Sequence, residues 1–336
     1  MKTGVLLVNL GTPDSTKTSD VRKYLREFLM DWRVIDISFL NRWMLVNLII
    51  APFRAPKSGH EYKKLWQEKG SPLKFYGLEL QELLQNALGE DYIVGFGMRY
   101  QSPSLEKAVE IFKNKGIEKL IVVPLYPQYA SASTGSSIEE VMKVIGQWQI
   151  IPELKIISNF CDNPLFIKAF AELGKKYLSK ESYDHIIFSY HGIPERQIMK
   201  GSEGDQCKLG DCCKTYHAKN KYCYRAQCFE TTRLLVKELG LKEEDYTISF
   251  QSRLGKTPWI KPYTDYKIDE LAKAGKKKIL FFSPSFVADC LETTIEGGEE
   301  YKELFEEKGG QHWQLIESLN TSPAWIDCLK DMVIEN

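Results

Sequence analysis

The sequence predicts an α/β protein of two similar, doubly wound (Rossmann-like) domains, each with a parallel sheet, and an active site in the cleft between them. Three observations lead to this fold class. Short apolar segments alternate with amphipathic helical stretches, a pattern that favours parallel sheets covered by helices on both faces. The predicted strands form two groups, before and after about residue 160. The chain has 336 residues, enough for two domains of ordinary size.

The first predicted domain covers residues 1–160 and begins directly with an apolar segment. Because that segment is too short for a signal peptide, it is interpreted as the first buried strand. Strands are predicted at residues 4–10, 92–96, 119–125 and 154–158. Helices are predicted at residues 19–29, 74–88, 104–115 and 137–147.

Residues 28–57 interrupt this alternation with a long apolar segment that ends in the basic residues Arg54 and Lys57. Two interpretations are open. The segment could be an ordinary core helix. It could also be an apolar lip that touches a membrane or an apolar ligand, with its basic residues meeting anionic groups.

The second predicted domain covers residues 161–320 and contains a cysteine-rich insert at 201–228. Strands are predicted at residues 185–190, 246–250 and 278–283. Helices are predicted at residues 164–179, 229–239, 265–274 and 299–308. A last helix, at 323–334 within residues 321–336, is expected to pack back on the first domain.

The composition narrows the class of protein. The chain has 45 basic and 45 acidic residues, so its net charge gives no sign of nucleic-acid binding. No segment reaches the roughly 18 apolar residues of a transmembrane helix. We therefore expect a cytoplasmic protein, and in that compartment the eight cysteines do not read as a disulfide framework.

Two strand ends in the second domain are each followed by a titratable side chain. His191 follows the apolar run at 186–190, and Glu292 lies beyond the run at 279–282. Ligand sites of open α/β sheets lie at the carboxyl ends of the strands. A neutral imidazole and a carboxylate in such a place can bind a divalent metal or move protons.

These residues lie within a series of unlinked motifs that occur in one order along the chain. They are residues 7–13 (LVNLGTP), 126–129 (YPQY), 134–137 (TGSS), 189–194 (SYHGIP), 250–255 (FQSRLG), 258–259 (PW), 289–293 (DCLET) and 318–320 (SLN). In these motifs, over nearly its whole length, the chain resembles ferrochelatases, the enzymes that insert ferrous iron into a porphyrin. Their chelatase-like fold agrees with the two-domain prediction.

The resemblance implies a lyase of haem biosynthesis that inserts Fe²⁺ into a free-base porphyrin, protoporphyrin IX or coproporphyrin III, and releases two protons. His191 suits the base that accepts a pyrrole proton, since its unperturbed pKa lies near neutrality. Glu292 suits a metal ligand or proton acceptor, so both residues would meet the substrate Fe²⁺. Acidic residues that follow along the same helix, Glu296 and Glu299 or Glu300, would continue a proton or metal path.

The resemblance also implies which residues contact the porphyrin. Arginines would bind its propionates through bidentate hydrogen bonds, and aromatic residues would form flat apolar walls. Cys290 stands where animal ferrochelatases have histidine. The role of that histidine in proton transfer or metal binding is therefore not assigned to Cys290. The expected porphyrin-contacting residues are Leu10, Arg54, Tyr62, Ser71, Arg99, Tyr126 and Trp259.

Five of the eight cysteines lie in the polar insert. Thiolate ligation of a metal could order such a segment, because binding free energy becomes folding free energy. The spacing leaves zinc and iron–sulfur ligation open. The resemblance favours a 2Fe–2S cluster over Zn²⁺, since one bacterial type of ferrochelatase carries its cysteines in an internal segment. The expected ligands are Cys207, Cys213, Cys223 and Cys228, with Cys212 as the alternate because adjacent thiolates seldom both reach one cluster.

Two other functions stay open. One is a haem or metal carrier without turnover, and the other is a related tetrapyrrole chelatase that uses another divalent metal. The intact pair of His191 and Glu292 favours the enzyme. The expected partners are porphyrin and ferrous iron, with no nucleic acid. Peripheral membrane contact through residues 28–57 is allowed, and a monomer and a homodimer are both compatible with the sequence.

Overall fold

The computed structural model describes residues 2–202, 204, 206–253, 255 and 257–336, which form two compact units. The first unit consists of the residues up to Tyr126, Ala130–Asn159 and Asn320–Asn336. The second consists of Pro127–Tyr129 and Phe160–Leu319. Glu203 and Asp205 of the predicted insert, and Leu254 of the FQSRLG motif, lie outside the described residues.

The first unit contains a parallel sheet of four strands. These are β1 (Thr3–Gly11), β2 (Tyr92–Tyr100), β3 (Lys119–Pro124) and β4 (Glu153–Ile156). Their order across the sheet is β2-β1-β3-β4, and all four predicted strands of this half are confirmed. The central strand β1 is buried along most of its length, as expected for a parallel strand that helices cover on both faces.

Helices of the first unit include all four that were predicted before residue 160. They are α1 (Thr18–Met30), α2 (Phe39–Met44), α3 (Ala51–Leu65), α4 (Pro72–Leu88), α5 (Leu105–Lys115) and α6 (Ser136–Ile145). Leu6, Val8, Phe112, Val122 and Val141 are buried together where α5 and α6 pack on the sheet.

The segment at 28–57 is mainly helical. A π-helical stretch, Leu45–Ile50, connects α2 to α3 without a break. Val46, Ala51 and Ala55 are buried, and α3 packs against α1. The core-helix interpretation therefore accounts for one face of the segment. The opposite face, called here the apolar face, is exposed to solvent and consists of Phe39, Leu40, Trp43, Met44, Leu48, Ile49 and Phe53.

The second unit repeats the architecture of the first. Its strands are β5 (His185–His191), β6 (Tyr246–Gln251), β7 (Lys278–Phe282) and β8 (His312–Leu315). They are parallel in the order β6-β5-β7-β8, which corresponds to the order of the first sheet and confirms two similar units. The sequence did not predict β8, because this four-residue strand has no run of apolar residues.

Helices of the second unit are α7 (Pro164–Leu178), α8 (Glu195–Lys200), α9 (Tyr224–Leu239), α10 (Thr264–Lys273) and α11 (Tyr301–Glu307). A π-helix, Leu291–Glu300, runs directly into α11. The six-residue α8 was not predicted. The last helix, α12 (Pro323–Ile334), belongs to the first unit and packs against α4.

Candidate active site

His191 is the last residue of β5 and is half-buried. Its Nδ1 lies 2.6 Å from the carbonyl oxygen of Gly192. Because a carbonyl only accepts hydrogen bonds, Nδ1 carries the hydrogen and the neutral ring has its lone pair on Nε2. The ring centroid lies 6.5 Å from that of Trp259 and 6.4 Å from that of Phe286. The imidazole can therefore accept a proton at Nε2 beside two aromatic rings.

Two further contacts fix the main chain at His191. Its N–H donates to Ser285 Oγ at 3.3 Å, and its carbonyl accepts from the Tyr224 hydroxyl at 2.7 Å. The next residue must be small. A Cβ on Gly192 would lie 2.8 Å from the carbonyl oxygen of Gln251 and 3.2 Å from the Trp259 ring. A glycine in the SYHGIP motif thus lets the loop after His191 approach β6 closely.

Glu292 lies in the first turn of the π-helix and is half-buried. The turn is capped at Cys290, whose N–H donates to Thr293 Oγ1 at 2.9 Å. Burial, and then the nearby Glu292 carboxylate, raise the pKa of the Cys290 thiol well above its ordinary value. The thiol is therefore protonated near neutral pH, which agrees with leaving this position out of proton transfer.

Glu296, one π-helical turn beyond Glu292, is held by four hydrogen-bond donors. Its Oε1 accepts from the Ser252 N–H at 2.9 Å and from the Tyr301 hydroxyl at 2.8 Å. Its Oε2 accepts from Gln251 Nε2 at 3.1 Å and from Ser252 Oγ at 2.5 Å. Both carboxylate oxygens are thus used within the protein, an arrangement that suits an anchor better than a relay.

The expected porphyrin-contacting residues are divided between the units. Trp259 belongs to the second unit, beside His191. The others belong to the first unit and differ in exposure: Ser71 is buried, Arg54 is exposed, and Leu10, Tyr62, Arg99 and Tyr126 lie between these extremes.

Hydrogen bonds and ring contacts already hold three of these first-unit residues. Ser71 Oγ accepts from Thr12 Oγ1 at 2.9 Å. The Tyr126 hydroxyl lies 3.4 Å from Ser137 Oγ, and burial raises the pKa of Tyr126. The ring of Tyr62 packs edge-on against Tyr24.

Arg99 is engaged within the first unit. Its Nη2 lies 2.9 Å from Asp31 Oδ2, and its Nε donates to Ser136 Oγ at 2.7 Å. The same buried Asp31 carboxylate accepts from the Tyr100 hydroxyl at 2.9 Å and from Ser136. No local sequence pattern indicates this role of Asp31, because the residues that surround it come from distant parts of the chain.

The cysteine insert is organised mainly by polar side chains. Asn220 Nδ2 donates to the carbonyls of Cys212 and Thr215 at 3.1 and 2.7 Å. Arg225 Nη1 donates to the Gly210 carbonyl at 2.9 Å. Hydrogen bonds from side chains to main-chain carbonyls thus hold this segment, in agreement with its polar composition.

Four thiols of the insert lie near one another. The sulfur atoms of Cys212 and Cys213 are 4.0 Å apart. A hydrogen bond between Cys213 and Cys223 lowers the pKa of Cys223 and raises that of Cys213. Burial chiefly raises the pKa of Cys207, with smaller effects from Cys212 and Cys213.

Cys228 has different surroundings. It is fully buried in α9 and hydrogen-bonds with the Tyr224 side chain, while burial raises its pKa. Over the part of the chain that the structure describes, no three or more His, Cys, Asp or Glu side chains are already arranged as a metal site. Likewise, among the described residues no helix is both long and apolar enough to cross a membrane.

Comparisons with known proteins agree with these observations. A family described as ferrochelatase matches residues 2–336. A ferrochelatase of Legionella pneumophila (strain Lens) is 47% identical over 335 residues, covering 100% of this chain and 99% of the relative. A ferrochelatase of Coxiella burnetii (strain Dugway 5J108-111) is 42% identical over 336 residues, covering 98% and 93%.

Among solved structures, the similarity is one of fold. SirB from Bacillus subtilis, in a structure with Fe3+, superposes with a TM-score of 0.57 at 11% identity and covers 100% of this chain and 95% of SirB. A second SirB structure, a sirohydrochlorin chelatase in complex with cobalt, gives a TM-score of 0.56 at 10% identity.

Proposed function

The chain belongs to the ferrochelatase family of lyases, and from this premise we propose that its second unit carries the proton and metal chemistry of iron insertion. Entry of Fe²⁺ into a free-base porphyrin releases two pyrrole protons. His191 accepts a proton at Nε2, and Glu292 binds the incoming Fe²⁺ or accepts the other proton. The observation that carries this assignment is the hydrogen bond from His191 Nδ1 to the Gly192 carbonyl, which directs the lone pair to Nε2.

The direct test is a visible absorption spectrum of the protein with free-base porphyrin, recorded anaerobically before and after addition of ferrous iron. The free-base bands should collapse to the two-band metalloporphyrin pattern at a rate that depends on the protein. Porphyrin that stays bound without this change would identify a carrier. Insertion of cobalt or nickel in preference to iron would identify another metal specificity.

The expected porphyrin contacts are proposed as follows. The exposed Arg54 binds a propionate, because its guanidinium is accessible. Leu10, Tyr62, Ser71, Tyr126 and Trp259 contact the ring or its substituents. Arg99 is still proposed to bind a carboxylate of the porphyrin, although its guanidinium forms an ion pair with Asp31 within the protein. These contacts are proposed to determine whether the substrate is protoporphyrin IX or coproporphyrin III.

The apolar face is proposed as the membrane-contacting surface. It consists of large apolar side chains that are each exposed, with Phe53 78% exposed, and Arg54 and Lys57 follow it in α3. An interfacial helix binds anionic membranes through apolar burial and basic residues. The protein should co-sediment with vesicles that contain anionic lipid. Phe53→Glu should weaken this association without changing the rate of iron insertion measured in detergent.

The cysteine insert is proposed to hold a 2Fe–2S cluster, with Zn²⁺ as the alternative. Thiolates are the protein ligands that such clusters use. Cys207, Cys213 and Cys223 are proposed as three of its ligands. Adjacent thiolates seldom both reach one cluster, but the sulfur atoms of Cys212 and Cys213 are only 4.0 Å apart, whereas Cys228 lies in α9 against Tyr224. Cys212 is therefore proposed as the fourth ligand in place of Cys228. A cluster there would cross-link a segment that has few apolar contacts of its own.

A further inference from the structure

The side chain of Gln251 connects the strand that bears His191 to the helical turn that bears Glu292. We propose that Gln251 is a positioning residue for iron insertion, which holds Glu292 in place relative to His191. This inference rests on the proposed roles of those two residues.

The amide group of Gln251 is almost completely buried and uses its polar atoms in a fixed orientation. Its Oε1 accepts from Ser189 Oγ on β5 at 2.8 Å. Its Nε2 donates to the Glu292 carbonyl at 3.0 Å and to Glu296 Oε2 at 3.1 Å. Because a main-chain carbonyl and a carboxylate oxygen accept hydrogen bonds, the amide cannot be reversed without losing these contacts.

The main chain of Gln251 contacts the strand end that bears His191. Gln251 is the neighbour of His191 across the β5–β6 pair, and its carbonyl accepts from the Gly192 N–H at 2.8 Å. One residue therefore contacts the main chain beside His191 and, through its side chain, the main chain of Glu292. Loss of the side-chain contacts would let the Glu292 turn move while His191 kept its strand register.

Ser252 strengthens the same connection. It is a non-glycine residue with φ of +64°, a conformation that surrounding contacts must support. Its N–H and its hydroxyl both donate to Glu296. The strained backbone at Ser252 thus directs two donors at the carboxylate that anchors the π-helix. Glu296 acts as this anchor rather than as a proton relay, which differs from the role that the family resemblance implies.

The variant Gln251→Glu tests the proposal with almost no change of shape. The new carboxylate still accepts a hydrogen bond from Ser189. It has no hydrogen to donate to the Glu292 carbonyl or to the Glu296 carboxylate. We expect kcat to fall roughly 10- to 100-fold near pH 8, as is typical for loss of a residue that orients a metal ligand. Porphyrin affinity, measured by quenching of protein fluorescence, should stay at the wild-type value.

Lowering the pH gives a readout that a purely structural role would not produce. Burial and the adjacent Glu296 should raise the pKa of the introduced carboxyl group. Once protonated it can donate again, so the ratio of variant to wild-type kcat should rise as the pH falls. The other titratable groups around this position are His191 of β5, Glu292 of the π-helix, Tyr301 of α11, and Asp265 of α10, which acts on Tyr301. Dividing the variant kcat by the wild-type kcat at each pH accounts for any pH dependence that the two proteins share.

Gln227→Glu is the matched control. Gln227 is equally buried in the second unit, accepts from the Tyr129 N–H at 2.6 Å and donates to the Lys221 carbonyl at 2.5 Å. The substitution therefore keeps an accepted bond and removes a donated one, as at Gln251. Its kcat ratio to wild type should not change with pH.

If Gln251→Glu does not fold, Ser252→Ala removes one donor to Glu296 and should still lower kcat by about tenfold. Wild-type kcat in a folded Gln251→Glu protein, or a pH-independent ratio, would overturn the positioning role while leaving His191 and Glu292 in place. Wild-type kcat in His191→Ala would instead overturn the proposed role of His191, on which this inference rests.

Discussion

The hydroxyl of Tyr224 donates a hydrogen bond of 2.7 Å to the main-chain carbonyl of His191. Tyr224 is the first residue of α9, and Cys223 immediately precedes it. A residue within the cysteine insert (201–228) therefore contacts the main chain of the proposed catalytic histidine. The hydrogen bond of this buried tyrosine thus connects the start of α9 to the end of β5.

Tyr224→Phe should destabilise the protein by about 1–2 kcal/mol, because the carbonyl of the half-buried His191 loses its donor while the ring packing stays intact. Urea denaturation followed by circular dichroism measures this loss. Tyr222→Phe, at an exposed position two residues earlier, serves as the control and should leave the free energy of unfolding unchanged. Equal stability of both variants would mean that the Tyr224 hydrogen bond contributes nothing in solution.

His191→Ala should lower the rate of iron insertion by about 10²–10⁴-fold, since it removes a positioned base. Porphyrin binding should be retained, because the neighbouring aromatic residues remain. Stopped-flow absorbance with ferrous iron measures the rate, and His217→Ala, at an exposed histidine of the insert, controls for general effects. Insertion at the wild-type rate would remove His191 from the chemistry.

Arg99→Ala and Arg54→Ala should have different effects, although both residues are expected to bind propionates. Removal of Arg99 leaves the buried Asp31 carboxylate without its cation, which should cost about 3 kcal/mol of stability. Removal of the exposed Arg54 should weaken porphyrin binding and leave stability unchanged. Thermal denaturation and porphyrin titration of both proteins separate these outcomes. A stable Arg99→Ala protein with weak binding would instead support direct propionate recognition by Arg99.

Protonation of His185 should lower stability below neutral pH. Burial, with a smaller effect from Lys276, lowers the pKa of His185 from 6.5 to about 4. The unfolded chain binds this proton below about pH 6.5, whereas the folded protein binds it only near pH 4. The unfolded state therefore gains protons first, and stability falls as the pH decreases through this window.

The size of this effect should be about 2 kcal/mol after allowance for solvent access. Urea denaturation at several pH values measures it. His185→Gln should remove this part of the pH dependence, while His60→Gln, at an exposed position, should retain it. The same acid dependence in both variants would assign it to other groups.

Cys212→Ala and Cys228→Ala distinguish the two candidate ligand sets. If Cys212 is a ligand, its alanine variant should lose bound iron and visible absorption after anaerobic purification. Cys228→Ala should keep both, because Cys228 hydrogen-bonds with the Tyr224 side chain in α9. The opposite pattern would restore the set that contains Cys228. Bound zinc without iron in the wild-type protein would identify a zinc site.

Local sequence patterns predicted most of the fold because each buried strand has its own apolar run and each helix its own amphipathic period. Strand β8 was missed since a short edge strand needs few apolar residues. The helical region around Leu45–Ile50 was ambiguous for a related reason. Its apolar residues are divided between a buried face and an exposed face, and composition alone does not distinguish the two.

The roles of the residues at the candidate site were harder to predict than their positions in the fold. His191 and Glu292 are recognisable because each follows an apolar run that predicts a buried strand. The contacts of Gln251 depend on β5, β6 and the π-helix together, so no local pattern indicates that its side chain reaches Glu292. Likewise Arg99 meets Asp31 across 68 residues of sequence, a pairing that only the folded chain creates.

The position of α12 has a consequence for how the chain is made. This helix buries Trp325, Leu329 and Val333 and completes the first unit against α4, yet it is translated after the whole second unit. While the ribosome is still synthesising residues 160–319, the matching face of α4 has no covering helix. The nascent first unit must therefore wait for its last helix, and a chaperone that shields apolar surface would have its longest opportunity there.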